Sequence, residues 1–187
     1  MIFLTSDLHL GHNQPFIYEE RGFKDIREHD FEVVQRWNSI VTPEDDVYVL
    51  GDLMLNDNLS GIRWMRCLNG KIHFIRGNHD TPTRIELYTR NGFKDEGYVK
   101  AFKYHKYHIY LSHYPTVTSN GDIESLHQVT LNMFGHTHSK DMFYNDLPWM
   151  FNVALDAHNC CPISLDLAIE LMKDKLLLNK EKEKENL

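Results

Sequence analysis

Short apolar segments alternate with helical patterns of hydrophobic residues through the first half of the chain. The apolar segments predict three strands, over residues 2–5, 46–50 and 72–75. Three helices are predicted between and after them, over 31–41 with Asp30 as N-cap, near 59–69, and from Thr81 with Pro82 at its first position. Alternation of this kind is typical of parallel βαβ units.

The pattern changes in the second half of the chain, where antiparallel pairing is predicted. The expected elements are a hairpin over 98–104 and 107–112, a helix over 122–131, strands over 131–134 and 150–155, and a last helix from Ser164. The mixed-charge segment 180–187 is expected to be a frayed helix end or disordered. No linker or repeat divides the sequence, so a single domain over residues 1–187 is predicted.

Polar side chains follow five of the predicted strands, at the point where each strand ends. They are Asp7, His9, Asp52, Asn78, His79, His113, His136 and His138. Because ligands bind at the carboxyl ends of strands in open α/β sheets, we expect these side chains to converge on one place.

The donor chemistry of this group favours metal binding. Apart from His79, it offers two carboxylates, one amide oxygen and four imidazoles, a mixture that suits divalent first-row metals. A single zinc ion takes three or four protein ligands, so seven donors fit two ions that share one carboxylate. Paired ions serve in-line displacement at phosphorus. The i, i+2 spacing in Asp7-x-His9 and His136-x-His138 predicts an extended backbone, which places alternate side chains on one side.

The same residues form short motifs in a fixed order. They are Asp7-x-His9, Gly51-Asp52, Gly77-Asn78-His79-Asp80, a lone His113, and Gly135-His136-x-His138. This order resembles the calcineurin-like metallophosphoesterase superfamily, and Asn152-Val-Ala-Leu-Asp156 resembles its small stand-alone members from bacteria and phages. The resemblance implies a mixed α/β fold, a four-layer αββα sandwich of two mixed β-sheets, with a two-metal site at the carboxyl ends of the strands.

The resemblance also implies a role for each residue. The ligands of one ion would be Asp7, His9, Asp52 and His138. The ligands of the other would be Asp52, Asn78, His113 and His136. A hydroxide bridging the two ions would attack phosphorus in line. His79 would donate to the phosphoryl oxygen or the leaving group, and Asp80 would orient His79.

Departures from the family pattern narrow the expected reaction. Protein serine/threonine phosphatases of this superfamily carry an arginine shortly after the Gly-Asp motif, and residues 51–57 (GDLMLND) contain none. The chain is also too short for the capping domains of large nucleases. We therefore predict hydrolysis of a small phosphodiester, with a nucleotide as one candidate. Phosphomonoester hydrolysis is the alternative, and a catalytically silent metal-binding scaffold is the alternative of another class.

Three further residues are weaker candidates for contacts with the substrate, namely His12, Arg76 and Tyr114. His12 could equally cap the local backbone, and Arg76 could pair with a nearby acid. Tyr114 lies in one of three predicted loops that flank the clusters, 11–28, 114–121 and 139–149, whose aromatic side chains could either stack on a base or pack beneath the loop.

Composition places the chain among ordinary globular proteins. It has 187 residues, of which 42% are hydrophobic and 25% charged. The net charge of −7 disfavours binding along duplex nucleic acid. We find no apolar run long enough to span a bilayer and no signal-peptide pattern, and the three cysteines are an odd number. A reduced, cytoplasmic protein is therefore expected. Its partners would be a small phosphate ester and two divalent ions, manganese first, with iron, zinc, nickel or magnesium as alternatives.

Overall fold

The computed structural model describes residues 1–119 and 123–185, which form two β-sheets and five α-helices. The strands are β1 (Ile2–Thr5), β2 (Asp46–Leu50), β3 (Lys71–Ile75), β4 (Lys94–Asp95), β5 (Val99–Tyr104), β6 (Tyr107–Ser112), β7 (Thr130–Phe134), β8 (Met150–Asn152) and β9 (Ile163–Ser164). The helices are α1 (Pro15–Tyr18), α2 (Ile26–Ile40), α3 (Asn58–Met65), α4 (Pro82–Arg90) and α5 (Leu165–Glu185).

The five-stranded sheet contains the predicted parallel βαβ units, in the strand order β4-β3-β2-β1-β9. The strands β1 to β4 pair in parallel, and β9 pairs antiparallel with β1. Successive side chains point to opposite faces of each strand. Phe3 and Val47 therefore pack with Trp37 of α2 on one face, while Leu4 and Leu50 pack on the other. Burial on both faces explains why these strands are almost continuously apolar.

The four-stranded sheet has the order β5-β6-β7-β8 and contains the predicted hairpin. β5 and β6 are antiparallel, whereas β6, β7 and β8 run in parallel. Its inner residues Ile109, Leu131 and Phe151 share a core with Leu4 of the first sheet and Ile169 of α5. The mixed α/β class with two mixed sheets and helices is thus confirmed.

Backbone contacts link the strand ends both within each sheet and between the two sheets. Ser6, just after β1, pairs in parallel with Ala154, just after β8. The Asp7 backbone N–H donates to the Gly51 carbonyl at 3.1 Å, which joins the ends of β1 and β2. The Gly135 N–H donates to the His113 carbonyl at 2.9 Å, which joins the ends of β6 and β7. The strand ends that carry the predicted polar residues therefore meet.

The predicted start of the first long helix is wrong. Asp25 is the N-cap of α2, because its side chain accepts the Glu28 N–H at 2.9 Å. Asp30 instead lies buried inside the helix and accepts the Gly11 N–H at 3.0 Å. Both aspartates could cap a helix, and the long-range contact to Gly11 decides between them. The segment 11–28, predicted to be a loop, also contains the short helix α1.

The helix predicted over 122–131 is also wrong in its described part. Residue 122 lies outside the described residues, as do the last two residues of the predicted tail. Leu126–Gln128 form a single 3-10 turn capped by Ser125, and β7 begins at Thr130 because this segment pairs with β6. The strand predicted over 150–155 ends at Asn152, and a 3-10 turn follows at Leu155–Ala157. The helix α5 continues to Glu185, so the described part of the tail is helical.

Two further observations concern membrane-spanning helices and the state of the cysteines. Among residues 1–119 and 123–185, none of the helices has the length and apolar character that a bilayer crossing requires. The thiols of Cys67, Cys160 and Cys161 are all free.

Candidate metal centre

Most of the predicted ligands adopt a backbone conformation that is uncommon for residues other than glycine. Positive φ angles between 49° and 68° occur at Asp7, His9, Asp52, His136 and His138. The extended backbone predicted for the two i, i+2 pairs is therefore wrong. Left-handed residues turn the chain at the strand ends and direct alternate side chains to the same place. Such conformations persist where the surrounding structure holds them, and they concentrate at functional sites.

Glycine is required beside these residues because backbone and side chains approach closely there. A Cβ atom on Gly135 would lie 1.9 Å from the Ser6 Oγ and 2.5 Å from the Asp7 Oδ2. At Gly51, where φ is +93°, a Cβ atom would lie 2.4 Å from the His113 Nδ1. The glycine of each motif thus leaves the space that a neighbouring site residue occupies.

One group of donors gathers around His9. Its Nε2 atom lies 3.1 Å from the His138 Nε2, 3.9 Å from the Asp7 Oδ1 and 3.9 Å from the Asp52 Oδ2. The His138 Nε2 lies 3.8 Å from the Asp7 Oδ1. Burial, together with the charges of His138 and Arg21, lowers the pKa of His9 well below its usual value. The His9 ring is therefore neutral near pH 7 and has a lone pair available for a cation.

A second group of donors gathers around His113. Its Nε2 atom lies 2.8 Å from the Asn78 Oδ1, 3.1 Å from the His136 Nδ1 and 3.5 Å from the Asp52 Oδ2. The His136 Nδ1 is 3.0 Å from the Asn78 Oδ1. Burial and the neighbouring His113 lower the pKa of His136. The Asp52 Oδ2 atom lies 3.5 Å from the His113 Nε2 and 3.9 Å from the His9 Nε2, so it lies next to both groups.

In both Asp7 and Asp52, a backbone N–H binds one carboxylate oxygen and the other oxygen faces the centre. The Asp7 Oδ2 accepts the His136 N–H at 2.8 Å, and the Asp7 Oδ1 is buried with no hydrogen-bond partner. The Asp52 Oδ1 accepts the His79 N–H at 2.9 Å, which leaves Oδ2 facing the imidazoles. Burial raises the pKa of Asp52, as do the nearby Asp7 and Asp80 carboxylates. A buried carboxylate oxygen without a partner is costly unless a cation binds it.

In His113 and His138, the ring nitrogen that faces away from the centre forms a hydrogen bond. The His113 Nδ1 donates to the Leu50 carbonyl at 2.7 Å, and the His138 Nδ1 donates to the Asp156 Oδ2 at 3.1 Å. In the neutral form of each ring, this hydrogen bond places the proton on Nδ1 and leaves Nε2, which faces the centre, free to bind a cation. Cis ligands around an ion with bonds of about 2.1 Å lie about 3.0–3.4 Å apart in octahedral or tetrahedral geometry. The donor-to-donor distances of 3.0 and 3.1 Å match this spacing, and the 2.8 Å between the His113 Nε2 and the Asn78 Oδ1 is close to it, so the residues fit divalent ions.

Asp80 has different partners from those that the family resemblance implies. Its buried carboxylate accepts the Asp52 N–H at 2.9 Å, the Gly77 N–H at 2.8 Å and the Tyr88 hydroxyl at 2.9 Å. The His79 side chain is 41% exposed and its Nε2 lies 3.9 Å from the Asp52 Oδ2. In the structure Asp80 therefore holds the backbone of Asp52 beneath the turn, and its role in orienting the ring of His79 stays a prediction.

The three weaker candidates fall in different places. The His12 ring lies 5.4 Å from the His9 ring and is buried, with its Nδ1 lacking a partner. The Tyr114 ring is half exposed and lies 4.5 Å from the His136 ring. Arg76 forms a bidentate ion pair with Asp95, as close as 2.6 Å. The alternative considered for Arg76, pairing with a nearby acid, is thus what the structure shows.

Two residues that contact the centre were not among the predicted site residues. Asp156 binds His138, and the buried Arg21 binds Asp156. Burial alone would raise the pKa of Asp156, but hydrogen bonds from His138 and Arg21 hold it well below its usual value. The position of Asp156 shortly after a strand, like that of Asp52, is the sequence feature that could have indicated it. No comparable feature distinguishes Arg21.

Comparison with known proteins gives a consistent family. The family model described as "Calcineurin-like phosphoesterase superfamily domain" matches residues 1–153. The uncharacterized protein MJ1445 of Methanocaldococcus jannaschii is 32% identical over 180 residues, which cover 92% of this chain and 91% of that protein. The gene 66 protein of Mycobacterium phage L5 is 35% identical over 82 residues, 42% of this chain and 39% of its own length.

A solved structure shows the same fold. The protein of unknown function AQ665 from Aquifex aeolicus superposes with a TM-score of 0.69 at 24% identity, over 91% of this chain and 98% of that chain. The family match covers most of the chain, and the donors for metal ions lie within it. The chain belongs to the calcineurin-like phosphoesterase superfamily, a family of divalent-metal-dependent hydrolases of phosphate esters.

Proposed function

We propose that the chain is a phosphodiesterase that uses two divalent ions, with manganese the preferred metal. The observation that carries this proposal is the position of Asp52. Its Oδ2 atom lies 3.5 Å from the Nε2 of His113 and 3.9 Å from the Nε2 of His9, so one carboxylate oxygen faces both donor groups. A shared carboxylate between two sets of imidazoles is the arrangement expected of a two-ion centre.

Each ion has a proposed set of ligands. The first set is Asp7, His9, Asp52 and His138, and the second set is Asp52, Asn78, His113 and His136. Two overlapping groups of three residues have ligand atoms within 4.8 Å of one another. Asp7, His9 and His138 all belong to the first set, whereas the other group joins Asp7 to Asp52 and His113 of the second set. The second group brings Asp7 close to both sets, in addition to Asp52.

The ions, His79 and Asp80 have different proposed roles in hydrolysis. When bound, the ions supply Lewis-acid charge to the phosphate and lower the pKa of a water molecule towards neutrality. His79 is exposed above Asp52 and donates a hydrogen bond to a phosphoryl oxygen or a proton to the leaving oxygen. Asp80 fixes the backbone of Asp52 and of Gly77, and so holds the turn that presents both Asn78 and His79.

The choice of diester over monoester rests on the residues around the centre. Protein phosphatases of the superfamily carry an arginine shortly after the Gly-Asp motif, and residues 51–57 (GDLMLND) of this chain contain no basic residue. No cation from that segment is therefore available to neutralise the second charge of a phosphomonoester. Turnover of bis-p-nitrophenyl phosphate should exceed that of p-nitrophenyl phosphate, which has the same leaving group, in the manganese-loaded protein. The opposite order would favour a monoesterase.

A nucleotide is the proposed class of diester. Tyr114 is half exposed, and its ring lies beside the His136 ring, so it is placed to stack on a base next to the centre. Trp149, another aromatic residue of the flanking loops, is buried in the core between the sheets and is excluded from this role. Tyr114→Ala should lower turnover of a nucleotide diester more than that of bis-p-nitrophenyl phosphate. Equal losses would argue against base stacking.

Two substitutions test the proposed roles. Asp52→Asn should lose one or both ions, because it removes the charge of the shared carboxylate. His79→Ala should bind both ions and lose roughly 100-fold or more of turnover, as expected for removal of a general acid. Metal content and hydrolysis are measured on the same samples, with near-ultraviolet circular dichroism as a check of folding. Full activity in either folded variant would overturn the assignment.

A further inference from the structure

The Arg21 guanidinium is the most completely bonded buried charge beside the proposed centre. Its side chain is 1% exposed. Nε donates to the Asp156 Oδ1 at 3.0 Å, and Nη2 donates to the Asp156 Oδ2 and the Asp7 carbonyl, both at 2.8 Å. Nη1 lies 3.4 Å from the Leu8 carbonyl and 2.9 Å from the His29 Nε2. All five N–H groups of the guanidinium therefore have an acceptor.

The His29 ring extends this network, and both of its nitrogens have a hydrogen-bond partner. Its Nε2 accepts from Arg21, and its Nδ1 donates to the Asp30 Oδ1 at 2.9 Å. The Asp30 Oδ2 in turn accepts the Gly11 N–H. The network is buried and fully hydrogen-bonded, which makes it rigid as well as specific in geometry. It connects α2 and the loop after α1 to the segment that carries Asp7 and His9.

The two proposed metal subsites differ in what lies behind one histidine of each, His138 and His113. Behind His138 is the Asp156 carboxylate, which Arg21 binds through two parallel hydrogen bonds. Behind His113 is the neutral carbonyl of Leu50. A carboxylate partner fixes the ring and raises its basicity as a ligand more than a carbonyl does. Arg21 also holds the carbonyl of Asp7, a second member of the same subsite.

We propose that Arg21 and Asp156 are positioning residues that make the subsite of Asp7, His9 and His138 the tighter of the two. This inference rests on the two-ion centre proposed above. Both side chains are buried, with Arg21 1% and Asp156 8% exposed, so neither is accessible to a substrate. They fix the angle of the His138 ring and the backbone of Asp7, and a loss of this support weakens one ion while the other keeps its ligands. The expected loss is about 10–100-fold in the affinity of that ion.

The test is manganese titration by isothermal calorimetry of the full chain. The double variant Arg21→Met with Asp156→Leu removes both charges together, so no unpaired buried charge remains. The matched control is Glu86→Leu with Arg90→Met, which removes an exposed ion pair of α4. We expect two ions of unequal affinity in the wild type, and the tighter of them should be bound about 10–100-fold more weakly in the Arg21/Asp156 variant. In the control, both affinities should stay within about twofold of the wild type.

Each other outcome overturns the inference. Two unchanged affinities in the Arg21/Asp156 variant would show that the pair does not position the ligands. Equal weakening of both ions would show a general structural role. If that variant does not fold, Arg21→Lys keeps the charge and should weaken the same ion alone, and unchanged affinities would again count against us. A wild type with fewer than two ions would overturn the proposed function as well, whereas two wild-type ions with an unaffected variant would overturn only this inference.

Discussion

Replacing Tyr88 with phenylalanine should destabilise the protein far more than the same change at Tyr104. Both hydroxyls donate to an aspartate at 2.9 Å, Tyr88 to Asp80 and Tyr104 to Asp166. A hydrogen bond to a charged group contributes about 1.5–3 kcal/mol. Tyr88 is fully buried and Asp80 is 7% exposed, so water cannot replace the lost donor. We therefore expect a loss of about 2–3 kcal/mol for Tyr88→Phe. Asp166 is exposed, and Tyr104→Phe should lose less than about 1 kcal/mol.

Urea denaturation of the metal-free protein measures both changes. The reasoning requires the free energy of unfolding to fall in Tyr88→Phe with an unchanged dependence on urea concentration. Because Asp80 also holds the Asp52 N–H, manganese binding should weaken in the Tyr88 variant and stay unchanged in the Tyr104 variant. Equal losses of stability in the two variants would refute the claim that burial of the Asp80 carboxylate makes its hydrogen bonds strong.

Three further predictions concern stability. In Gly135→Ala the new Cβ atom would lie 1.9 Å from the Ser6 Oγ, so the variant should lose about 1–3 kcal/mol in urea denaturation and bind manganese more weakly. Burial alone would raise the pKa of Glu96, but hydrogen bonds from Lys100 and two other neighbours lower it to about 2. The ionised Glu96 therefore contributes fully to the free energy of unfolding above its unfolded pKa of 4.5, and this contribution is lost as the pH falls towards 2. In Glu96→Gln, the loss of stability between pH 5 and pH 3 should be smaller by about 1 kcal/mol after solvent screening. Manganese at 100 times its Kd should raise the free energy of unfolding by about 2.7 kcal/mol, and a chelator should reverse this. An unchanged pH profile, or no effect of the metal, would contradict the respective prediction.

The sequence predicts those parts of the fold that depend on local pattern. β1, β2 and β3 are apolar runs ending in a polar cluster, and the β5–β6 hairpin begins and ends close to its predicted positions. Contacts between distant residues decide the rest. Asp25 rather than Asp30 caps α2 because Asp30 binds Gly11, and β7 begins early because it pairs with β6.

In the candidate centre, too, local pattern predicts some features and contacts between distant residues decide the others. The residue types and their places after strands predict that the donors converge and are enough for two ions, and the family resemblance implies their division into two groups around Asp52. The positive φ angles of residues such as Asp7 and His136 were not predicted, because non-glycine residues enter that region only when the surrounding structure holds them. Arg21 was not predicted because its partner Asp156 is 135 positions away and no local pattern marks Arg21 itself.

The central claim is that Asp52 lies between two metal ions. A crystal of the manganese-loaded protein, measured at the manganese absorption edge, tests it most directly. We predict two anomalous peaks about 3.5–4 Å apart, one beside His9 and His138 and the other beside His113 and His136, with the Asp52 carboxylate in contact with both. A single peak, or two peaks of which only one touches Asp52, would contradict the account.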